Sequence, residues 1–192
     1  MLSYGYELAD GAELASIITP AEFDALTGGR MSSTTEQVQA MLDAVSAAVR
    51  SYCGWHLAPA LACTWTGEAP GGYVTLPAMG VSAVSAVRVS GEELDPSAYE
   101  WSRSGELRLH RCSPRWGSVE VDFEAGYDDA QALGAVTAQI AANALAAAPG
   151  VREEHAGAVG ISYNQTASGV SGGVALLDRD RALLDPWRIR RI

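Results

Sequence analysis

Trp116-Gly-Ser-Val-Glu-Val-Asp-Phe-Glu-Ala-Gly-Tyr127 is the stretch that decides the fold. Val119, Val121 and Phe123 alternate with Glu120, Asp122 and Glu124, and a period of two gives a β-strand one apolar and one acidic face. Past Tyr127 the period changes. Leu133, Val136, Ile140 and Ala144 recur every three or four positions, the register of a buried helix face. Gly126 stands between the two patterns, so a β part is joined here to an α part. Asp128 and Asp129 sit just before the helix, where carboxylates favour the N-terminal dipole, and the sequence assigns them to its cap.

Upstream, Thr19-Pro-Ala-Glu22 is a capping box with proline at the first helical position, and Gly28-Gly29 ends the short helix that it starts. Ser33-Thr-Thr-Glu36 gives a second start signal. Val38, Met41, Leu42, Val45, Val49 and Tyr52 then form one apolar stripe, closed by Gly54. Between Ala62 and Phe123 the pattern is one of short strands and turns. Cys63–Thr66, Tyr73–Leu76, Ala86–Val89, Tyr99–Ser102 and the alternation around Leu107 and Leu109 are separated by Gly71-Gly72, Pro77, Ser90-Gly91 and Ser104-Gly105. No crossover helix interrupts them, so the sheet is antiparallel. The fold class is therefore α+β: a helical bundle of two N-terminal helices and a main helix after the sheet, with an inserted small antiparallel β lobe and a C-terminal helix and arm. The expected boundaries are an N-terminal arm over 1–17 and a main domain over 18–150, with helices at 19–29, 34–53 and 129–148 and the β lobe at 62–124. A glycine-rich flexible loop over 151–174 and a C-terminal helix and arm over 175–192 complete the chain. In the last segment Leu176, Leu177, Leu183, Leu184 and Trp187 return to helical spacing, and Asp178 and Arg181 are placed for an i,i+3 pair.

Composition narrows the function. Of 192 residues 48% are hydrophobic, enough for a sizeable core, and a net charge of −10 opposes any mode of nucleic-acid binding that works by neutralising phosphates. All thirteen cations are arginine, and Arg188, Arg190 and Arg191 crowd the last five positions. Cys53, Cys63 and Cys112 share no metal-ligand spacing and read as reduced residues. Met1 to Glu7 lacks the pattern of a secretory signal, Asn164-Gln-Thr166 is then an idle sequon, and the low-charge run from Ala130 to Ala148 is too weakly apolar for a membrane span.

No constellation carries catalysis. Gly169-Val-Ser-Gly-Gly173 matches the letters of a nucleophile elbow, yet no histidine follows His155 and the surrounding glycine makes the match cheap. His56, His110 and His155 have no shared metal spacing, and without a lysine no Walker loop exists. The expectation is a protein that is not an enzyme and needs no cofactor or metal. Five tryptophans and seven tyrosines against two phenylalanines allow two readings: Trp65, Trp101 and Trp116 fill a thin sheet core, or amphipathic aromatics lie where subunits meet.

The order of these elements, Thr19-Pro-Ala-Glu-Phe-Asp-Ala-Leu-Thr-Gly28, Tyr52-Cys-Gly-Trp-His-Leu-Ala-Pro59, Leu76-Pro77 and Phe123-Glu-Ala-Gly-Tyr127, resembles the head-tail connector, or head-to-tail adaptor, proteins of long-tailed bacteriophages over about residues 18–148. The resemblance implies a structural protein of the virion neck, assembled in the host cytoplasm, that forms a ring of twelve copies under the portal protein. It also implies a tail-side neck partner (a stopper or tail terminator), double-stranded DNA passing through the lumen without specific binding, and no membrane. The helices would pack between neighbours, and the C-terminal segment would dock on the portal through Leu183, Leu184, Trp187, Arg188, Ile189, Arg190, Arg191 and Ile192. An acidic lumen would let the duplex slide, where a basic one would hold it. Competing readings are another neck protein (head-closure or tail-completion), a small hydrolase, and a DNA-binding packaging factor.

Overall fold

The structure is a computed structural model that describes residues 4–9, 14–29, 34–110, 116–129, 131–146, 153–156, 159–162, 174 and 176–189. The chain is α+β and divides into two discontinuous units. One comprises Met1–Leu14, Cys53–Asp129 and Trp187–Ile192; the other comprises Ala15–Tyr52 and Ala130–Pro186.

The first unit carries two antiparallel sheets. Its strands are β1 (Glu7–Leu8), β2 (Leu61–Gly67), β3 (Tyr73–Thr75), β4 (Val81–Val89), β5 (Glu92–Glu93), β6 (Tyr99–Trp101), β7 (Glu106–Leu109) and β8 (Val119–Ala125). The larger sheet has the order β1-β2-β8-β4-β5 and the smaller β3-β7-β6, so the single small sheet expected from the turn spacing is in fact two. The opening stretch supplies the central strand. Val119, Val121, Phe123 and Ala125 are buried while Glu120, Asp122 and Glu124 face outward, and Phe123 lies between Cys63 on β2 and Val84 on β4.

β4 departs from the sequence reading, which starts this strand only at Ala86. Its register against β8 slips between Val81 and Ala83 and again between Val84 and Ala86, which makes Ser82 and Ser85 extra residues at two bulges. Each hydroxyl turns onto the neighbouring strand: Ser85 Oγ donates to the Asp122 carbonyl at 3.1 Å and Ser82 Oγ to the Glu124 carboxylate at 2.6 Å. A bulge adds one position to the period of two. Val81, Val84 and Val87 therefore recur every three residues and all turn inward, although Val84 is only half-buried. The strand ends at Ser90-Gly91, whose φ values of 55° and 84° form the tight turn into β5 that the sequence marked.

Across the outer face of this sheet one cation holds two of the three carboxylates of β8. Arg88 bonds Glu120, and its Nη1 lies 2.9 Å from Asp122, which also accepts the Thr64 hydroxyl at 2.8 Å. Glu7 pairs with Thr64 on the same face. Like charges on alternate positions of one strand repel, and a guanidinium shared between two of them offsets that repulsion.

Within the expected N-terminal arm, the described residues 4–8 are packed and not loosely ordered. Tyr4 and Tyr6 are buried, their rings stack at 5.8 Å, and Tyr6 meets Phe123 edge-on at 5.7 Å. Tyr6 OH lies 2.5 Å from His56 Nδ1, while His56 Nε2 lies 2.8 Å from the Ala125 carbonyl. A carbonyl can only accept, so Nε2 carries the proton and the tyrosine hydroxyl donates to Nδ1. Replacing Tyr6 with phenylalanine is expected to cost about 1–3 kcal/mol by leaving that buried nitrogen without its donor. Chemical denaturation of the variant checks this, with faster amide exchange expected in β1.

The second unit holds α1 (Pro20–Thr27), α2 (Thr35–Cys53, whose final residue falls in the sheet unit), α3 (Gln131–Ala146), a hairpin of β9 (Glu153–Ala156) with β10 (Val159–Ser162), and α4 (Asp178–Leu184). The predicted capping box at Thr19 is present: the Thr19 hydroxyl accepts from Glu22 N and the Glu22 carboxylate accepts from Thr19 N at 2.7 Å. That backbone bond, and then the hydroxyl, holds the exposed Glu22 carboxyl below its ordinary pKa. The second box is shifted by one residue from the expected Ser33–Glu36. Thr34 Oγ1 accepts from Gln37 N, and Gln37 Oε1 accepts from Thr34 N at 3.1 Å.

Val38, Leu42, Val45 and Val49 of the predicted stripe are buried. So are two polar residues on α2: Ser46 Oγ accepts from Ile17 N, and Arg50 donates to the Ala15 carbonyl at 2.7 Å. Residues 15–17, read from sequence as part of the arm, are thereby fixed to α2. α3 buries Leu133, Gly134, Thr137, Ala138, Ile140, Ala141 and Ala144 and packs against α1 and α4. A Cβ on Gly134 would come within 3.1 Å of Ile18 Cγ2, which shows how closely the small-residue face is approached. Within 151–174, read as a loop, residues 153–156 and 159–162 pair as the antiparallel hairpin.

Candidate functional site

The junction after β8 is built around Gly126, at φ 122°. Its neighbours fix the start of the exit loop. Tyr127 N donates to the Leu57 carbonyl, and Asp128 Oδ1 accepts from Ala60 N at 2.9 Å. Asp128 therefore pins the loop before β2 rather than capping α3, a correction of the sequence reading: its carboxylate reaches a non-local amide, which local spacing does not reveal.

Trp55 follows directly after the helix-ending Gly54 and is fully buried. Its ring meets His56 and Tyr127 edge-on, each with centroids 5.6 Å apart. A buried indole N–H needs an acceptor, and Trp55 Nε1 donates to the Trp187 carbonyl at 2.7 Å. Two residues on, Ile189 N donates to the Cys53 carbonyl at 3.0 Å. In the helical unit Tyr52 OH donates to Asp185 Oδ1 at 2.7 Å. The sequence offers Trp55-His56 only as part of the Tyr52–Pro59 motif and gives neither residue a role, although the pairing of aromatic and imidazole after a C-capping glycine was the available signal.

The predicted docking residues fall into three groups. Leu184 is fully buried, whereas Leu183 beside it is 47% exposed. Trp187 and Ile189 are half-buried with their backbones bonded to the exit of α2, and Arg188 is exposed. Arg190, Arg191 and Ile192 lie outside the described residues. The Asp178–Arg181 pair forms at 3.4 Å on the surface, where such pairs contribute little.

Other residues singled out from the sequence lie apart. His56 is buried in the tyrosine network, His110 is exposed, and the Gly169–Gly173 segment, Cys112 and the Asn164 sequon are outside the described residues. Among the described residues no group of three His, Cys, Asp or Glu side chains could hold a metal ion, and no helix is long and apolar enough to cross a membrane. Burial pushes the Cys63 thiol up to about 12, so it stays protonated at neutral pH. Of the three tryptophans considered for the sheet core, Trp116 is 86% exposed and Trp101 38% exposed, while Trp65 is half-buried. On the smaller sheet Tyr73 is exposed, with the Arg108 guanidinium 5.7 Å from its ring centre.

Fold and surface together define an α+β protein with exposed aromatics, in which the described segments nearest each end, Glu7–Leu8 and Trp187–Ile189, are held by hydrogen bonds to other parts of the chain. The chain belongs to the head completion protein family, whose model matches residues 16–142. It is similar in fold to a chain in the virion of a native gene transfer agent particle, with a TM-score of 0.60 at 17% identity over 97% of this chain and 96% of that one. A chain in the neck of the empty particle, computed with C6 symmetry, matches with a TM-score of 0.59 at 22% identity over 97% of both. One in the neck of the native particle, computed with C12 symmetry, matches at 0.53 and 18% identity, again over 97% of both. No curated protein matches the chain.

Proposed function

We propose that this protein is the head-to-tail adaptor of a virus-like particle, a structural component that forms a ring of twelve copies between the portal and the tail-side neck protein. Family membership over residues 16–142 carries this reading. End-to-end likeness to chains of a particle neck computed with C12 and C6 symmetry supports it. The protein works by presenting surfaces, with no chemical step. Its tail, Arg190-Arg191-Ile192, engages the portal, where guanidinium forks suit carboxylates and backbone carbonyls. Duplex DNA passes without being held, consistent with a net charge of −10 and with the row Glu120, Asp122 and Glu124 on the outer face of β8.

The test is to mix the purified chain with portal rings and image the product by electron microscopy. A stoichiometric collar on one end of the portal is expected. A folded protein that leaves the portal bare would overturn the assignment.

A further inference from the structure

We infer that the exit of α2 is a clamp that positions the root of the C-terminal tail: the Cys53 carbonyl and the Trp55 indole N–H fix Ile189 and Trp187, the residues from which the tail continues. The inference rests on the portal-docking reading above and deepens it by naming what aims the tail.

Cys53 is the last residue of α2, so its carbonyl is among the four that the helix itself cannot satisfy. Gly54, at φ 84°, turns the chain away, and the Ile189 amide takes up that carbonyl from a distant part of the sequence. Trp55 supplies the second point. Its indole is held from two sides by His56 and Tyr127, which sets the direction of Nε1–H toward the Trp187 carbonyl. The clamp thus grips an acceptor at 187 and a donor at 189 and leaves Arg188 between them exposed. A tail rooted in this way has lost much of its freedom before it meets a partner, and less ordering entropy remains to oppose binding.

Trp55→Phe keeps an aromatic ring but removes the donor together with part of a fully buried indole, a packing loss that the shortened chain shares. Ile189→Pro removes the other donor, along with a half-buried side chain that is not part of the core. Each is made in the full chain and in a chain ending at Ile189, and affinity for portal rings is measured for all. Both substitutions are expected to weaken portal binding by about five- to tenfold in the full chain, the scale of one lost hydrogen bond, and to change nothing further in the shortened one. An equal loss in both backgrounds would show a general structural effect and overturn the clamp, as would unchanged binding in the full chain. If the shortened chain binds as well as the full one, the tail-docking reading itself falls. Hydrogen exchange at Ile189 reads the clamp directly: protection in the native chain, reduced about tenfold in Trp55→Phe, is expected, and an unprotected Ile189 amide in the native chain would overturn it.

Discussion

Gly126→Ala is expected to lower the unfolding free energy by about 3 kcal/mol or more. Two independent effects act at this position. The backbone sits at φ 122°, outside the regions that an L side chain occupies comfortably. An added Cβ would also lie 2.4 Å from the Pro59 carbonyl oxygen, 2.8 Å from Ala60 Cα and 2.9 Å from His56 Nε2. Two of these are backbone atoms that cannot swing aside, and the third belongs to a ring already bonded on both sides. Denaturant unfolding checks the prediction, and a loss under about 1 kcal/mol would mean that this crossing is looser than its geometry states.

Phe123→Ala is expected to cost about 3–5 kcal/mol, whereas Glu124→Ala, one residue on, stays within about 1 kcal/mol. Phe123 is 2% exposed on the inner face of the central strand, where it contacts the Tyr6 ring. Its loss leaves a cavity bounded by two strands and the N-terminal segment. Glu124 points outward and gives up one exposed bond from the Ser82 hydroxyl. Thermal or denaturant midpoints of the pair compare the two faces of one strand; equal losses would contradict the alternation.

Much of this fold was legible where the signal is local. The box at Thr19, the stripe on α2, the turn at Ser90-Gly91 and the alternation of β8 each depend on residues within a few positions, and each is present in the structure. The box before α2 shows the limit of such signals. Ser33, Thr34, Glu36 and Gln37 all carry suitable groups, and the structure uses Thr34 with Gln37. The first half of β4 was missed for a definite reason: two bulges turn a period of two into the period of three in Val81-Ser-Ala-Val-Ser-Ala-Val87, which neither strand nor helix templates match.

The candidate site was legible only in outline. The crowding of Arg188, Arg190 and Arg191 at the terminus is visible in the sequence, and so is the return of helical leucine spacing. Leu183 and Leu184 are indistinguishable there. On a helix of seven residues one turns outward at 47% exposure and the other is fully buried, because 100° separates neighbours around the axis.

The sequence by itself determined the class of each central element, since periodicity and capping chemistry act between near neighbours in the chain. It also excluded a lysine-dependent phosphate loop and a charge balance suited to gripping DNA. Only the tertiary structure decided that Tyr6 is buried on His56 and Phe123, that Asp128 serves Ala60, and that Trp55 and Cys53 hold Trp187 and Ile189. Each of these contacts joins residues about fifty or more positions apart. A hydrogen-bond partner at that distance leaves no periodic trace in the sequence, because it is selected by where the backbone brings a donor and an acceptor together.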